Sequence, residues 1–307
     1  MTSSAAGPCV QRAGAARSLA AGAVLSVLAG CGAGAGSSPP GPAPARKGAV
    51  SVLYAGSLVN LMEHDLGPEF ARASGYTYEG VGAGSTELVA QIKGGIRHGD
   101  VFISASPSAN QALEGAANGD LVRWYTTFAQ APLVIGYNPK SSVAAQLRSQ
   151  PWYHVFTQPG IRVGRTDPAL DPKGKLTVQA IDEAASELDI PALADALRHF
   201  DVFPEETLVG RLEAGQLDAG FLYSNEAAEQ HIPTVTLAPV SLSATYTVTV
   251  LQNATAPAAG EAFVAFLLGP TGRATLARHG VTVVHPALSG APDSVPRSLR
   301  PLVASTG

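Results

Sequence analysis

The sequence predicts an α/β fold arranged as two lobes. Short apolar runs, such as residues 50–54 and 100–103, alternate along the chain with segments whose apolar residues recur at helical spacing. Such alternation is typical of α/β architectures. From about residue 49 onward the chain is long enough for two lobes of ordinary domain size. The predicted turns that lead from a strand into a helix lie at the edge of the sheet where α/β proteins bind ligands.

The order of elements follows from these patterns. In the first half we predict strands at residues 50–54, 76–80, 100–103 and 121–124, the last running into 132–137, and helices at 58–73, 86–93 and 108–118. In the second half we predict strands at 161–164, 218–223 and 246–251 and helices at 178–188, 193–200, 205–214, 225–230, 257–268 and 272–278. The Pro- and Ser-rich tail after Pro286 is expected to wrap around the body or to fray.

Residues 1–30 have the form of a secretory signal peptide. Arg12 and Arg17 precede an apolar stretch, residues 18–30, which ends in small residues. Because a bilayer span needs about 20 residues, we interpret this shorter stretch as cleaved. Cys31 follows at once, and the motif Leu-Ala-Gly-Cys resembles the bacterial lipoprotein signal, which implies a lipid anchor on Cys31. The alternative is an incidental cysteine behind an ordinary cleaved signal.

The segment that follows, residues 31–48, is expected to be a flexible tether. It is almost wholly Gly, Ala, Ser and Pro, a composition that buries too little apolar surface to offset the entropy of ordering. Cys9 lies in the segment that would be removed, so we expect no intramolecular disulfide. The net charge of −4 and the lack of a basic run argue against nucleic-acid binding.

Two turns carry candidate anion-binding serines. Ser57 follows Gly56, and Ser85 follows Gly84, each where a predicted strand ends and a helix begins. Backbone N–H groups at a helix start lack intrahelical partners and carry a partial positive charge, so a serine there offers amides and a hydroxyl to an oxyanion. Taken singly, each turn is also compatible with ordinary helix capping, which is worth about 1 kcal/mol.

Catalytic motifs give no positive signal. The chain has no Gly-x-Ser-x-Gly elbow and no Walker A loop, and Ser85 stands where the glycine-rich run at 80–84 would need the third glycine of a dinucleotide-binding loop. The scattered histidines lack the spacing of a metal site. We interpret the pair Glu205 and Glu206 as a solvated helix start. A secreted hydrolase that uses Ser57 or Ser85 stays open as an alternative, because catalytic triads assemble in space.

Five motifs, in order along the chain, resemble those of the substrate-binding proteins of molybdate and tungstate ABC importers. They occupy residues 52–58, 82–88, 99–105, 164–172 and 219–224. The resemblance covers nearly all of residues 50–284 and implies a two-lobed periplasmic-binding-protein type II fold with a cleft between the lobes. We therefore expect lobe 1 to comprise residues 49–130 and 245–307, and lobe 2 to comprise residues 131–244.

The resemblance also implies which side chains hold the anion. In the bacterial molybdate branch two serine turns and a tyrosine hydroxyl hold a tetrahedral oxyanion, and Ser57, Ser85 and Tyr223 fit these roles. In the tungstate branch an aspartate and a glutamate add carboxylate oxygens to the metal atom of the oxyanion. Asp167 fits the aspartate, whereas the expected glutamate falls on Tyr223, and Glu226 stands three residues later.

A carboxylate beside a dianion is repelled by several kcal/mol at an effective dielectric constant of about 20. Asp167 is tolerated beside the anion if it is protonated, neutralised by a neighbour such as Arg165, or bonded to the metal atom. The alternative is that Asp167 starts a plain Asp-Pro turn.

The function that the resemblance implies is capture and delivery of an oxyanion. We expect an extracytoplasmic, lipid-anchored, monomeric solute-binding protein that carries molybdate or tungstate to an ABC permease and its ATPase. We expect no catalysis, no cofactor and no resident metal. Sulfate, phosphate or a small organic acid as the ligand, and a secreted serine hydrolase, are the alternatives.

Overall fold

A computed structural model describes residues 47–303. The predicted signal peptide, the Cys31 anchor and almost all of the predicted tether lie outside the described residues. Within residues 47–303, no helix combines the length and the apolar character needed to cross a membrane.

Strands and helices alternate, as the sequence predicts. The strands are β1 (Ala49–Ala55), β2 (Thr77–Ala83), β3 (Val101–Ser104), β4 (Trp124–Tyr137), β5 (Val163–Thr166), β6 (Asp201–Phe203), β7 (Ala219–Tyr223), β8 (Thr234–Val235), β9 (Ser243–Val250) and β10 (Thr282–Gly290). The helices are α1 (Val59–Leu61), α2 (Gly67–Ser74), α3 (Ser85–Lys93), α4 (Pro107–Gln111), α5 (Ala144–Ser149), α6 (Trp152–Phe156), α7 (Pro172–Glu187), α8 (Ala192–Leu197), α9 (Glu205–Glu213), α10 (Ser224–Glu229), α11 (Pro257–Leu268), α12 (Pro270–Arg278) and α13 (Arg300–Val303). A 3₁₀ turn (Gly56–Leu58) and a π turn (Met62–Leu66) join α1 and α2 into one helical run from residue 56 to residue 74.

Strand β4 links two sheets. In the first sheet the strand order is β2-β1-β3-β9-β4, with β10 also paired to β4. In the second sheet the order is β4-β7-β5-β6, with β8 also paired to β4. The pairing of β4 changes from β9 to β7 at Pro132 and Leu133. Strands β1, β2 and β3 run parallel, as do β5, β6 and β7, so their carboxyl ends lie along common edges.

Both faces of each sheet are covered by helices. Along β1, Val52 and Tyr54 pack into the large core cluster together with residues of α2 and α11, whereas Leu53 packs with residues of α3 and α4 on the opposite face. In the second sheet, Phe221 and Leu222 likewise belong to clusters on opposite faces. This alternation is the two-residue period of a strand, and it explains why the buried strands read as continuous apolar runs.

Within the described residues, the tail after Pro286 does not fray, and the sequence analysis missed a strand in it. Residues up to Gly290 form the second half of β10, which pairs antiparallel with β4 from Ala287 to Gly290. The register shifts between Val283 and Ala287, so the proline sits at an irregularity of the ladder. Proline lacks an N–H donor but is tolerated at such a bulge. A strand was therefore not predicted from the proline-rich composition of this segment.

Two glycines let the two sheets' loops approach closely. A Cβ on Gly84, which precedes α3, would lie 2.5 Å from the Leu170 carbonyl oxygen. A Cβ on Gly56, which follows β1, would lie 2.5 Å from Cγ of Glu205. Beside the first contact, the Glu87 amide donates to the Leu170 carbonyl at 2.9 Å. The carboxyl ends of β1 and β2 therefore meet the loop after β5 and the start of α9.

Replacing Gly84 with alanine tests this approach. Because the new Cβ would collide with a backbone carbonyl, we expect the contact to open at a cost of about 1–3 kcal/mol. Hydrogen exchange of the Glu87 amide should then accelerate at least roughly tenfold, since one tenfold step corresponds to about 1.4 kcal/mol. Gly210→Ala is the matched control, because Gly210 is exposed in α9 with no atom near its Cβ position. Equal exchange in both variants would contradict the close approach.

Candidate functional site

Several helices of the described chain begin at one place. The helical run 56–74 follows β1, α3 follows β2, α7 begins shortly after β5, and α9 follows β6. The Gly56–Glu205 and Gly84–Leu170 contacts bring these starts together from the two sheets. Short helix α10 adds Tyr223 and Glu226 from the end of β7. The backbone N–H groups of these helix N-termini contribute partial positive charge to this region.

A fully buried ammonium lies at the centre of this region. Lys173, in the first turn of α7, has no solvent exposure. Its Nζ donates to Glu205 Oε1 at 3.0 Å and to the two oxygens of Glu226 at 2.8 and 2.9 Å. Burial opposes the charged form, but the carboxylates of Glu205 and Glu226 outweigh it and raise the pKa of Lys173. The lysine therefore stays charged and ties α7 to the starts of α9 and α10.

Three buried carboxyl groups share this one cation. Asp171 is the N-cap of α7, and its Oδ1 accepts from the Lys173 amide at 3.0 Å, while its Oδ2 has no hydrogen-bond partner among residues 47–303. The second oxygen of Glu205, Oε2, lies 2.9 Å from Lys173 Nζ. Burial raises the pKa of Asp171 and of Glu205, and it raises that of Glu226 to about 7 against the effect of Lys173.

Ser57 belongs to a hydrogen-bonded network that joins the two sheets. Its hydroxyl lies 2.9 Å from the hydroxyl of Tyr246, and its carbonyl accepts from Asn225 Nδ2 at 2.8 Å. Asn225 sits in α10 and Tyr246 in β9, so the first serine turn is held from both sheets. All three side chains are buried.

Tyr223 supplies a buried hydroxyl without a partner. Its side chain is fully buried, and its Oη forms no hydrogen bond within the described chain. The Lys173 ammonium lies 5.4 Å from the ring centroid, and the Tyr246 ring lies 6.3 Å away. Burial raises the pKa of Tyr223, so it stays a neutral donor. An unsatisfied buried hydroxyl costs about 1–3 kcal/mol, which a bound acceptor would recover.

Ser85 lies beside Asp171. It opens α3, and its hydroxyl accepts from the Ala105 amide at 3.1 Å. The Cβ position of the preceding Gly84 lies 3.4 Å from Asp171 Cβ. The second serine turn is thereby packed against the carboxyl cluster.

Asp167 is placed differently. It is partly exposed, and its Oδ1 accepts from the Ala169 amide at 2.8 Å, the geometry of an Asp-Pro turn. Among residues 47–303, no hydrogen bond or ion pair links its carboxylate to Lys173. Arg165 Nη1 donates to the Thr166 carbonyl at 3.2 Å, and within residues 47–303 no ion pair joins Arg165 to Asp167.

A cavity of about 180 Å³ reaches the cluster from one side. Its lining includes Ser57 and Asn60 from the first sheet's side and Glu205, Glu226 and Glu229 from the second. In the part of the chain that the structure describes, no group of three or more His, Cys, Asp or Glu side chains is arranged to hold a metal ion.

The comparison with known proteins decides the family. The sequence profile of the bacterial extracellular solute-binding proteins matches residues 50–282. This chain belongs to that family. The two-lobed periplasmic-binding-protein fold that the sequence predicts is confirmed by the periplasmic molybdate-binding protein of Azotobacter vinelandii, which superposes with a TM-score of 0.61 at 18% identity. That match covers 76% of this solute-binding protein and 99% of the Azotobacter chain.

Two sequence relatives are similar over more than half of this solute-binding protein. A Haloferax volcanii protein assigned as an ABC transporter molybdenum-binding protein is 35% identical over 197 residues, 63% of this chain and 61% of that one. A molybdate/tungstate-binding protein of Thermococcus kodakarensis is 23% identical over 233 residues, 59% of this chain and 65% of that one. The matched part spans somewhat less than two thirds of either relative.

Sequence reasoning missed the charged centre of this solute-binding protein. Glu205, expected to be solvated, is 4% exposed, whereas its neighbour Glu206 is exposed as expected. Asp171, rather than Asp167, carries the buried carboxyl of the Asp-Pro motif. The available signal was the second Asp-Pro at the start of a helical pattern, because aspartate followed by proline is a strong helix start. The residue spacing gave no indication that Lys173 is buried.

Replacing Lys173 with methionine tests the ion cluster of the solute-binding protein. Removal of the ammonium leaves two buried carboxylates uncompensated, so the free energy of unfolding should fall by about 3–5 kcal/mol. Lys175→Met in the same helix is the matched control, because Lys175 is exposed; it should change stability by less than about 0.5 kcal/mol. Urea unfolding measures both, and similar values for the two variants would contradict a central role for Lys173.

The raised carboxyl pKa values predict a pH dependence of stability. Burial raises the pKa of Glu226 and of Glu229 to about 7, above the ordinary value of 4.5. The folded state therefore holds protons that the unfolded state has lost. This contribution is fully present below pH 4.5 and is lost as pH rises through 7.

Between pH 8 and pH 6 each of these groups should add about 1.4 kcal/mol, so Tm should rise by roughly 5 °C on acidification. Calorimetric scans at both pH values measure the shift, and Glu229→Gln should remove about half of it. A Tm that stays level or falls between pH 8 and pH 6 would contradict these assignments.

Proposed function

We propose that this chain is the binding component of an ABC importer and captures molybdate or tungstate between its two lobes. The observation that carries the proposal is the buried, unpartnered hydroxyl of Tyr223 at the meeting point of the helix starts that bear Ser57 and Ser85. Neutral hydroxyl and amide donors at helix N-termini are suited to an oxyanion dianion. The names of the Haloferax and Thermococcus relatives support molybdenum or tungsten as the central atom.

We propose that the anion is held by hydrogen-bond donors and not by the carboxylates of Asp167 and Glu226, which the sequence left as possible ligands. Glu226 is engaged on both oxygens, by Lys173 and by the Tyr223 amide, whose distance to Oε2 is 2.7 Å. Asp167 is engaged by the Ala169 amide. The Lys173 ammonium adds the charge that offsets these acids. Selectivity against sulfate follows from the size of the enclosed site, since sulfate has the same charge and shorter bonds.

We assign the lobes as expected from the sequence, with residues 49–130 and 245–307 in lobe 1 and residues 131–244 in lobe 2. The change of β4 from one sheet to the other supports this division. Separation of the lobes admits the anion, and closure buries it for presentation to the permease. The protein acts outside the cytoplasm, as a monomer anchored through a lipid on Cys31.

The hydrolase alternative receives no support from the serine environments. The Ser57 hydroxyl pairs with Tyr246, and the Ser85 hydroxyl accepts a backbone amide. Among the described residues, no histidine hydrogen-bonds to either serine, and a serine nucleophile needs an adjacent base. We therefore propose no catalytic role.

Titration calorimetry with molybdate, tungstate, sulfate and phosphate tests the proposal. Molybdate and tungstate should bind with sub-micromolar Kd, and Tyr223→Phe should weaken them by roughly 10- to 100-fold, because a hydrogen bond to a charged group is worth about 1.5–3 kcal/mol. Tyr137→Phe, which alters another buried tyrosine of the second sheet, should leave Kd within about twofold. Tight binding of sulfate or phosphate would favour the alternative that the ligand is another anion. No detectable binding of any of the four anions would overturn the proposal.

A further inference from the structure

We propose that Tyr246 is a positioning residue of the anion site: it donates its hydroxyl hydrogen to Ser57 Oγ and so leaves the hydrogen of Ser57 free to bind the oxyanion. This inference rests on the proposed function, in which the Ser57 hydroxyl is one of the donors, and it deepens that function. Tyr246 acts through Ser57, because among the described residues Ser57 lines the cavity of about 180 Å³ and Tyr246 does not.

The Tyr246 hydroxyl has one hydrogen and two nearby oxygens. Ser57 Oγ lies 2.9 Å from Tyr246 Oη, whereas Asn225 Oδ1 lies 3.5 Å away. Hydrogen bonds between a hydroxyl and an oxygen span about 2.5–3.0 Å, so the contact with Ser57 is the better one. Donation in the reverse direction, from Ser57, would leave the hydrogen of Tyr246 with the longer contact alone. Because Tyr246 has no solvent exposure, bulk water does not compete, and its hydrogen goes to Ser57.

Asn225 presents Tyr246 with an acceptor and not with a donor. Its Nδ2 donates to the Ser57 carbonyl at 2.8 Å, and a carbonyl can only accept, so the nitrogen of this amide must face Ser57. The oxygen of the same amide then lies on the side of Tyr246. Asn225 therefore supplies no hydrogen to Tyr246 Oη, and Tyr246 acts as a donor in this network.

The hydroxyl of Ser57 is left with a hydrogen to give. A serine hydroxyl has one hydrogen and two lone pairs, and here one lone pair accepts from Tyr246. Within residues 47–303, no acceptor other than Tyr246 Oη is hydrogen-bonded to Ser57 Oγ. An oxyanion without protons offers acceptors alone, so it can bind this hydroxyl only through the free hydrogen. A hydroxyl that itself accepts a hydrogen bond is also a stronger donor.

Aromatic packing holds the Tyr246 ring in place. Its centroid lies 6.4 Å from that of Phe128 and 6.3 Å from that of Tyr223, which it meets edge to face. Burial raises the pKa of Tyr246, so its hydroxyl keeps the hydrogen that it donates. Phenylalanine has the same ring. Tyr246→Phe therefore removes the donor and preserves the ring contacts.

A double-mutant cycle between Tyr246 and Ser57 tests the inference, with Kd for molybdate measured by titration calorimetry. Tyr246→Phe should weaken binding roughly three- to tenfold, the range expected for one neutral hydrogen bond. Ser57→Ala should weaken it more, because the donor itself is lost. In the Ser57→Ala protein, the added Tyr246→Phe change should alter Kd by less than about twofold, since its effect passes through the missing hydroxyl. A purely structural role of Tyr246 would weaken binding in both backgrounds.

Tyr125→Phe is the matched control. Tyr125 is also a buried tyrosine of the first sheet, and its hydroxyl accepts from Gln111 Nε2 at 3.4 Å instead of contacting Ser57. This variant should leave Kd within about twofold of the native value.

Tight molybdate binding with the same Kd in the native protein and in Tyr246→Phe would overturn the inference and leave the proposed function standing. An equal loss in the presence and absence of the Ser57 hydroxyl would also overturn it. Absence of binding by both molybdate and tungstate would overturn the proposed function, and the inference with it.

A crystal structure of the native protein with tungstate supplies a second test that needs no variant. Ser57 Oγ should lie within about 3.0 Å of both Tyr246 Oη and an oxygen of the anion. A bound anion with the Ser57 hydroxyl turned away from either partner would overturn the inference.

Discussion

The ammonium of Lys173, buried between Glu205 and Glu226, is the interaction on which the rest of the site depends. An isolated buried charge is strongly unfavourable, and its cost is offset here because two carboxylates on different helices surround it. The same contacts fix the starts of α7, α9 and α10 relative to one another. Tyr223, which immediately precedes α10, has a hydroxyl without a hydrogen-bond partner among the described residues. The same arrangement therefore pairs Lys173 with its carboxylates and leaves the Tyr223 hydroxyl available as a donor.

The neutral hydroxyl groups of the site belong to different side chains from the charged groups around Lys173. Ser57 and Ser85 come from turns after β1 and β2 in the first sheet, whereas Tyr223 ends β7 in the second. Glycines in the two serine turns allow these turns to approach the loop after β5 and the start of α9 closely.

Much of the fold follows from the sequence, because buried parallel strands and amphipathic helices have distinct apolar periods. Helix α11 coincides with its predicted range, and Tyr223 ends its strand as expected. The paired strand after Pro286 was missed because its stability comes from its partner, β4, and not from its composition. Glu205 was misjudged for a related reason: its burial is a tertiary fact that depends on a lysine 32 residues away.

Anomalous diffraction from a tungstate-soaked crystal tests the central claim most directly, because it locates the metal atom without reference to affinity. The account predicts one strong peak enclosed between the serine turns and Tyr223, with an oxygen of the anion within hydrogen-bonding distance of Tyr223 Oη. A peak in the separate cavity of about 480 Å³ around His279, with Tyr223 Oη still unpartnered, would contradict it.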